Sequence, residues 1–274
     1  MTVVCPVRRC GQELHWAERS CTCPAGHAFD IARSGYVNLL LPQDKQAKKP
    51  GDTKAMVCAR RRLLDAGLGA RLLECLAAAL AGIRIPLGAR VLDVGCGDGF
   101  YLAALAGRFG LEGFGVDIST AAVDAAAQRY PGQRWIAANG DRRLPFADQA
   151  FDCILSITAR HNPEEFQRLL APGGRLLLAV PAIDDLAELR QAVLGQATAK
   201  DRVKLATEEF EERFTLESHE TARLAVHLNV PALVDLLLVT YRGARFSAAA
   251  GTAALKPLTV TSAAELLCFK VKAG

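Results

Sequence analysis

Long apolar segments are missing from this 274-residue chain, and their absence bounds its class. No window reaches the roughly 18 uninterrupted apolar residues of a membrane-spanning helix. Residues 1–10 lack the apolar stretch that a secretory signal needs, and the chain shows neither internal repeats nor low-complexity tracts. With 51% apolar and 23% charged residues, it can bury a sizeable core and is not a disordered tail. We therefore expect a soluble, cytoplasmic protein that does not bind membranes.

Net charge is also small, at +4, but it is unevenly distributed. Residues 1–62 hold 11 Lys and Arg against 5 Asp and Glu, a local net charge of +6, and the rest of the chain carries −2. This asymmetry favours an anionic partner for the N-terminal segment, with nucleic acid as the leading candidate. A solvated basic face is the alternative interpretation.

Four of the nine cysteines fall within the first 23 residues, and they suggest a metal site. Cys5 and Cys10 form a C-x4-C pair, and Cys23 and His27 form a C-x3-H pair twelve intervening residues later. Three thiolates and one imidazole meet the tetrahedral demand of a structural Zn²⁺ ion. The metal would stabilise a segment that has too few apolar residues for its own core.

Cys21 is a rival ligand to Cys23. We prefer Cys23 because Pro24 and Gly26 supply turn residues before His27 and because the reach to the imidazole is shorter. A closed set of four protein ligands leaves no open coordination position, so the predicted role of the metal is structural.

Short apolar runs alternate with helical patterns after residue 86, which predicts an α/β fold with a parallel, doubly wound sheet. The predicted strands cover residues 90–94, 113–116, 134–138, 152–156 and 175–180. The predicted helices between them cover residues 100–109, 120–130 and 164–170. Outside this region we predict helices at 53–65, 70–81, 186–199 and 231–239, and strands at 223–228 and 264–271.

A glycine-rich loop follows the first of these strands. Asp93 lies at the strand end and precedes Gly95, Gly97 and Gly99, and Asp117 ends the next strand about twenty residues on. Glycines let the backbone approach a ligand closely, and the following helix offers free N–H groups. The spacing of the third glycine differs from the dinucleotide fingerprint, which favours S-adenosylmethionine (SAM) over NAD.

The D-x-G-x-G-x-G pattern resembles the class I SAM-dependent methyltransferases. This resemblance implies that the glycine loop lines the methionine part of SAM, that Asp117 holds the ribose, and that residues 139–141 cover the adenine. The cofactor-binding residues predicted in this way are Asp93, Gly95, Gly97, Asp98, Gly99, Asp117, Asn139 and Asp141.

A more specific resemblance lies in residues 27–40, 50–52 and 56–67. Together with the zinc ligands and the glycine loop, these segments resemble the 23S rRNA guanine-N1 methyltransferases, a family that includes a macrolide-resistance branch. The resemblance implies transfer of a methyl group to N1 of a guanine in a hairpin loop of 23S rRNA, by an enzyme that is a homodimer. Flipped loop bases stack on aromatic or Arg planes. The predicted RNA contacts are the zinc module and Arg60, Arg61 and Arg62, and the nearby aromatic candidates are Phe29 and Tyr36.

This resemblance also suggests how the chain is organised. We predict a zinc-binding RNA-recognition module at residues 1–38, a linker with helices at 39–86, and a SAM-dependent methyltransferase domain of Rossmann-like fold at 87–274.

Three segments near the presumed target pocket depart from the family pattern, namely residues 156–162, 181–186 and 239–244. A small-molecule methyltransferase and a non-catalytic SAM- or RNA-binding adaptor therefore remain alternative functions. Guanine N1 carries a proton at neutral pH, so methylation requires a group that accepts it. Asp185, His161 and Asp141 are candidates for this base, and the sequence does not choose among them.

Overall fold

The computed structural model describes residues 3–42, 44, 51–195, 200–240 and 255–272. Within these residues the chain forms eight helices: α1 (Lys54–Asp65), α2 (Ala70–Gly82), α3 (Phe100–Phe109), α4 (Thr120–Arg129), α5 (Pro163–Leu169), α6 (Ala187–Leu194), α7 (Arg202–Phe210) and α8 (Val230–Val239). The same residues form eleven strands: β1 (His15–Trp16), β2 (Ser20–Thr22), β3 (Ala28–Asp30), β4 (Val37–Asn38), β5 (Arg90–Val94), β6 (Glu112–Asp117), β7 (Arg134–Ala137), β8 (Phe151–Ile157), β9 (Leu170–Pro181), β10 (Phe214–Leu228) and β11 (Leu258–Val271). None of the helices described in these ranges has the length and hydropathy to cross a bilayer.

The main sheet has the strand order β10-β11-β9-β8-β5-β6-β7-β4. All strands from β9 to β4 pair in parallel, as predicted for β5 to β9. The sheet then continues with β11, which is antiparallel to both β9 and β10. Parallel strands need cover on both faces, whereas β10 exposes most of its side chains, which an antiparallel edge tolerates.

Helices cover both faces of the sheet. One face packs against α2, α3 and α4, through buried residues such as Leu76, Leu102 and Val123. On the other face, Phe166 of α5 and Phe210 of α7 join the same buried cluster as apolar residues of the N-terminal module. A third cluster joins α1, α6 and α8 to β11.

The N-terminal module is a three-stranded antiparallel sheet of β1, β2 and β3. Its chain continues into β4, which pairs with β7 of the main sheet. The predicted module boundary at residue 38 therefore falls directly after a strand of the main sheet. Val3 also forms an isolated bridge with Phe146, in the loop that follows β7.

Several predicted features extend beyond the described residues. The predicted helix at 186–199 corresponds to α6, and residues 196–199 lie outside the described part of the chain. Pro50 of the family segment 50–52, residues 43 and 45–49 of the predicted linker, and residues 241–244 of the segment 239–244 also lie outside it.

Candidate active site and metal centre

The glycine-rich loop connects β5 to α3 at the carboxyl end of the parallel strands, where open α/β sheets bind ligands. Gly95 has a φ of +79°, and a Cβ atom there would lie 2.4 Å from Cβ of Ala159. Gly99 also has a positive φ and would place a Cβ atom 2.3 Å from the ring of Trp135. The loop can therefore follow this path only with glycine at both positions.

A cavity of about 240 Å³ opens beside this loop. Asp93, Gly95, Gly97 and Asp98 line it, so four of the predicted cofactor residues face one space. The remaining walls come from α1, α2 and the start of α3, from the residues after β8 and β9, and from β10, β11 and α8. Sequence analysis placed the residues after β8 and β9 near the target pocket, and apart from Val239 it did not assign β10, β11 or α8 to the site.

Asp93 is 2% exposed, and its Oδ1 atom has no hydrogen-bond partner among the described residues. Burial, and secondarily the charge of Asp117, raise the pKa of Asp93 to about 8. A buried carboxyl without a partner is costly unless a ligand supplies one. The ammonium group of the methionine part of SAM provides such a partner, so the residues present fit this cofactor.

Asp117 ends β6 next to the loop. Its two carboxylate oxygens accept hydrogen bonds from the backbone N–H groups of Gly97 (3.0 Å) and Ser119 (2.8 Å). Burial raises its pKa, and these two hydrogen bonds oppose the shift. Each carboxylate oxygen has a second lone pair, which leaves an acceptor for a ribose hydroxyl.

Asp98 forms a buried ion pair with Arg61, with 2.5 Å between Oδ2 and Nη2. Arg61 also donates to the hydroxyl of Tyr130, and its guanidinium lies 5.7 Å from the ring centroids of both Tyr130 and Phe100. The side chain of Arg61 therefore fixes the glycine-rich loop against α1 and α4.

The segment before α1 packs against the residues that follow β6, and it contacts Arg60 of α1, which lies beside the glycine-rich loop. The hydroxyl of Ser119 donates to the carbonyl of Asp52 at 2.6 Å, and Arg60 pairs with the Asp52 carboxylate at 2.7 Å. A Cβ atom on Gly97 would lie 3.4 Å from Nη1 of Arg60, which lines the cavity.

The three predicted RNA-contacting arginines thus point in three directions. Arg62 is 61% exposed and pairs with Asp235 of α8. Arg60 lies at the cofactor loop and Arg61 is buried beneath it. Successive residues of an α-helix are rotated by about 100° around the helix axis, so three consecutive side chains point in different directions. RNA contact by this triplet stays a prediction.

Residues 139–141, which are predicted to cover the adenine, follow β7 at the same edge of the sheet. Neither Asn139 nor Asp141 lines the cavity. Asn139 donates to Asp44 at 3.1 Å and accepts from the backbone N–H of Asp141 at 3.0 Å. The carboxylate of Asp141 pairs with Arg160 at 2.8 Å. The role of this loop in adenine binding stays a prediction.

Of the three candidate bases, Asp185 lines the cavity. His161 lies elsewhere, with its Nδ1 3.0 Å from Oε2 of Glu209 and its ring against Phe210. The structure therefore separates candidates that the sequence left equivalent.

All four predicted metal ligands meet in the N-terminal module, with their ligand atoms within 4.8 Å of one another. Cys10 Sγ lies 3.7 Å from Cys23 Sγ, and His27 Nδ1 lies 3.5 Å from Cys5 Sγ and 3.3 Å from Cys23 Sγ. Zn–S bonds of about 2.3 Å and Zn–N bonds of about 2.0 Å in a tetrahedron put ligand atoms about 3.5–3.8 Å apart. The donor set and spacing therefore fit Zn²⁺. Cys21 is buried in β2 and is not part of this cluster.

Two protein families match the chain. A family described as a methyltransferase domain matches residues 91–177, and a zinc-ribbon family described as "RlmA, N-terminal" matches residues 3–48. These matches confirm the predicted class I methyltransferase fold with an N-terminal zinc module, and with it the predicted cofactors SAM and structural zinc.

Curated relatives match both parts of the chain together. The 23S rRNA (guanine(748)-N(1))-methyltransferase of Streptomyces fradiae is 38% identical over 234 residues, which are 84% of this chain and 81% of the relative. A protein of Micromonospora griseorubida, whose name assigns it provisionally to the 23S rRNA (guanine-N(1)-)-methyltransferases, is 34% identical over 97% of this chain and 96% of its own.

Among solved structures, the [4+2]-cyclase SpnF superposes with a TM-score of 0.51 at 19% identity, over 73% of this chain and 81% of its own. This similarity concerns the fold alone, since a shared fold does not define a reaction.

Proposed function

Because the chain belongs to the family of 23S rRNA (guanine-N1)-methyltransferases, we propose that it transfers a methyl group from SAM to N1 of a guanine in a hairpin loop of 23S rRNA. The observation that supports an RNA substrate is the attachment of the zinc module beside the cofactor cleft. The N–H of Val4 donates to the carbonyl of Pro145 at 2.9 Å, in the loop that follows β7. A small substrate needs no such module.

When bound, SAM supplies an electrophilic methyl group. Asp93 would accept hydrogen bonds from the ammonium group of SAM, and Asp117 would accept one from a ribose hydroxyl. Gly95 and Gly97 leave room for the cofactor to approach the backbone. With SAM and the acceptor base bound, the cavity walls would limit access of water and align the reacting atoms, which is the main task of the protein in methyl transfer.

The other predicted cofactor residues support this site less directly. Asp98 holds Arg61 under the loop, and Gly99 begins α3 against Trp135. Asn139 and Asp141 form the loop beside which the adenine binds.

Different parts of the chain have different tasks in this function. Residues 1–38 recognise RNA, with Cys5, Cys10, Cys23 and His27 as zinc ligands, and residues 87–274 bind SAM and catalyse transfer. Residues 39–86 join them and present Arg60, Arg61 and Arg62. The family resemblance supports a homodimer, and an rRNA substrate supports a cytoplasmic location.

The test is transfer of tritium from methyl-labelled SAM to large-subunit rRNA from a strain that lacks this gene. Nuclease digestion and nucleoside chromatography should place the label in N1-methylguanosine. The variant Asp93→Asn, impaired in cofactor binding, should transfer far less label. Unlabelled rRNA in the presence of measurable SAM binding would contradict the proposal and favour a small-molecule acceptor or an adaptor.

A further inference from the structure

The N1 proton of guanine must leave as the methyl group arrives, and the family matches do not identify its acceptor. Among the three candidates that sequence analysis left open, Asp185 alone lines the cavity beside the glycine-rich loop. His161 is engaged with Glu209, and Asp141 is engaged with Arg160. Position therefore singles out Asp185.

Asp185 follows β9, which lies two strands from β5 in the sheet order. Neighbouring strands are about 4.8 Å apart, so the ends of β5 and β9 are separated by about 10 Å. Ile157 and Thr158, at the end of β8, line the cavity between them. This separation leaves room for an acceptor base between the cofactor loop and Asp185.

Backbone contacts hold the Asp185 carboxylate in place. Oδ1 accepts a hydrogen bond from the N–H of Ala263 at 2.9 Å, while Oδ2 has no donor among the described residues. Arg190 donates to the carbonyl oxygens of Asp185 and Ile183, which fixes the turn before α6. One carboxylate oxygen is thus anchored and the other is available to a ligand.

We propose that Asp185 is the general base of the reaction, an inference that rests on the proposed function. The lone pair of guanine N1 forms the new N–C bond, and the C–S bond of SAM breaks with its electron pair left on sulfur. The N1 proton moves to Oδ2 of Asp185 and later passes to solvent. The step balances without any further reactant.

The charged surroundings of Asp185 are consistent with this role. Burial raises its pKa to about 6, against the lowering effects of the Ala263 hydrogen bond and the Arg190 charge. Charged or titratable groups that share its cavity are Asp93, Cys96, Asp98, Arg60, Arg71 and Tyr101. Those close to it in the chain have other partners: Asp184 pairs with Arg223, and Glu188 accepts from Thr261. Asp185 is therefore ionised at neutral pH, and its pKa is close enough to the pH of the reaction for the carboxylate to accept a proton.

The test measures single-turnover methyl transfer to rRNA at saturating SAM between pH 5 and 9. For the wild type, the rate should rise tenfold per pH unit below pH 6 and level off above it, because only the carboxylate form accepts a proton. Asp185→Asn should lower the plateau rate by about 10²–10⁴-fold, with a remaining rate that rises continuously with pH. Its affinity for SAM should stay within about threefold, since the amide oxygen of asparagine can still accept from Ala263.

Asp184→Asn is the matched control, because Asp184 is adjacent and does not line the cavity. It should keep the plateau rate of the wild type, and the midpoint of its pH profile should fall only slightly, because the charge of Asp184 raises the pKa of Asp185 less than burial does. An Asp185→Asn variant that keeps the wild-type rate, or that loses activity only through weaker SAM binding, would overturn the assignment. Wild-type enzyme that leaves rRNA unlabelled would instead contradict the proposed function, so the two failures are distinguishable.

Discussion

At the scale of single residues, Asp93 is a buried carboxyl that needs a cation from outside the protein. Its pKa of about 8 without ligand means that it is mostly protonated at pH 7. An ammonium group beside it favours the ionised form, so SAM binding should release about one proton at pH 7. Affinity should accordingly increase as the pH rises toward 8.

Calorimetry in buffers of different ionisation enthalpy measures this proton release. Asp93→Asn should bind SAM more weakly and release almost no proton. Equal release by the variant and the wild type would show that another group titrates.

Arg61 leads to a prediction that separates a structural role from RNA contact. The side chains of Arg61 and Asp98 are 14% and 5% exposed, so removal of one partner leaves a buried charge. Arg61→Ala should lower the free energy of unfolding by about 3–5 kcal/mol. Addition of Asp98→Asn should recover part of this loss in a double-mutant cycle measured by denaturant unfolding. A variant with unchanged stability and weaker rRNA binding would instead assign Arg61 to the RNA surface.

The sequence predicts the roles of some of these residues in the site better than the roles of others. Asp93 and Gly95 belong to a short motif whose local geometry is nearly independent of the rest of the chain. The selection of Asp185 over His161 depends on which side chain the fold turns toward the cavity, and no local pattern encodes that. Arg60, Arg61 and Arg62 look equivalent as a triplet, and they differ only because helix geometry separates consecutive side chains.

At the scale of elements, the predictions are accurate where a strand or helix has a regular apolar pattern. β5 and α3 have the predicted bounds. β10 begins nine residues before the predicted strand at 223–228. The apolar pattern does not reveal residues 214–222 as strand, because they are largely polar and exposed. α7 was not predicted, although Asp201 caps it by accepting from the N–H of Lys204 at 3.0 Å. β1 to β4 have two or three residues each, too few for a period to show.

The zinc module provides a test at this scale. Cys23→Ser should reduce bound zinc from about one ion per chain to almost none, because three ligands seldom retain a structural zinc ion. The melting temperature should fall as well, since apolar residues of the module share a buried cluster with the main sheet.

Cys21→Ala is the control, since Cys21 is also buried and lies outside the ligand cluster. It should keep one zinc ion, as measured by atomic emission on purified protein. Loss of zinc from the Cys21 variant, with retention in the Cys23 variant, would reverse the ligand assignment.

At the scale of the whole molecule, ion pairing differs between the two parts of the chain. Arg8, Arg9 and Arg19 of the zinc module are exposed and have no carboxylate partner within the described ranges. In the methyltransferase domain, by contrast, Arg108 pairs with Glu74. A zinc ion held by three thiolates and a neutral imidazole carries a net charge of −1. Residues 1–38 also hold four Arg against three Asp and Glu, so the net charge of the module is about zero and its attraction for phosphates depends on where the unpaired arginines lie.

Unpaired arginines should therefore dominate the salt dependence of rRNA binding. Each phosphate contact contributes about 0.7–0.9 to the slope of log affinity against log salt. If all three arginines contact phosphates, substitution of Arg8, Arg9 and Arg19 by Ala should reduce the magnitude of the slope by about 2–3, with SAM affinity unchanged. The matched variant replaces three arginines that have acidic partners, namely Arg108, Arg129 and Arg134. It removes the same formal charge, and its slope should stay close to that of the wild type because those charges are already neutralised. Equal slopes for the two triple variants would mean that net charge alone attracts the RNA and that the zinc module has no special part in binding.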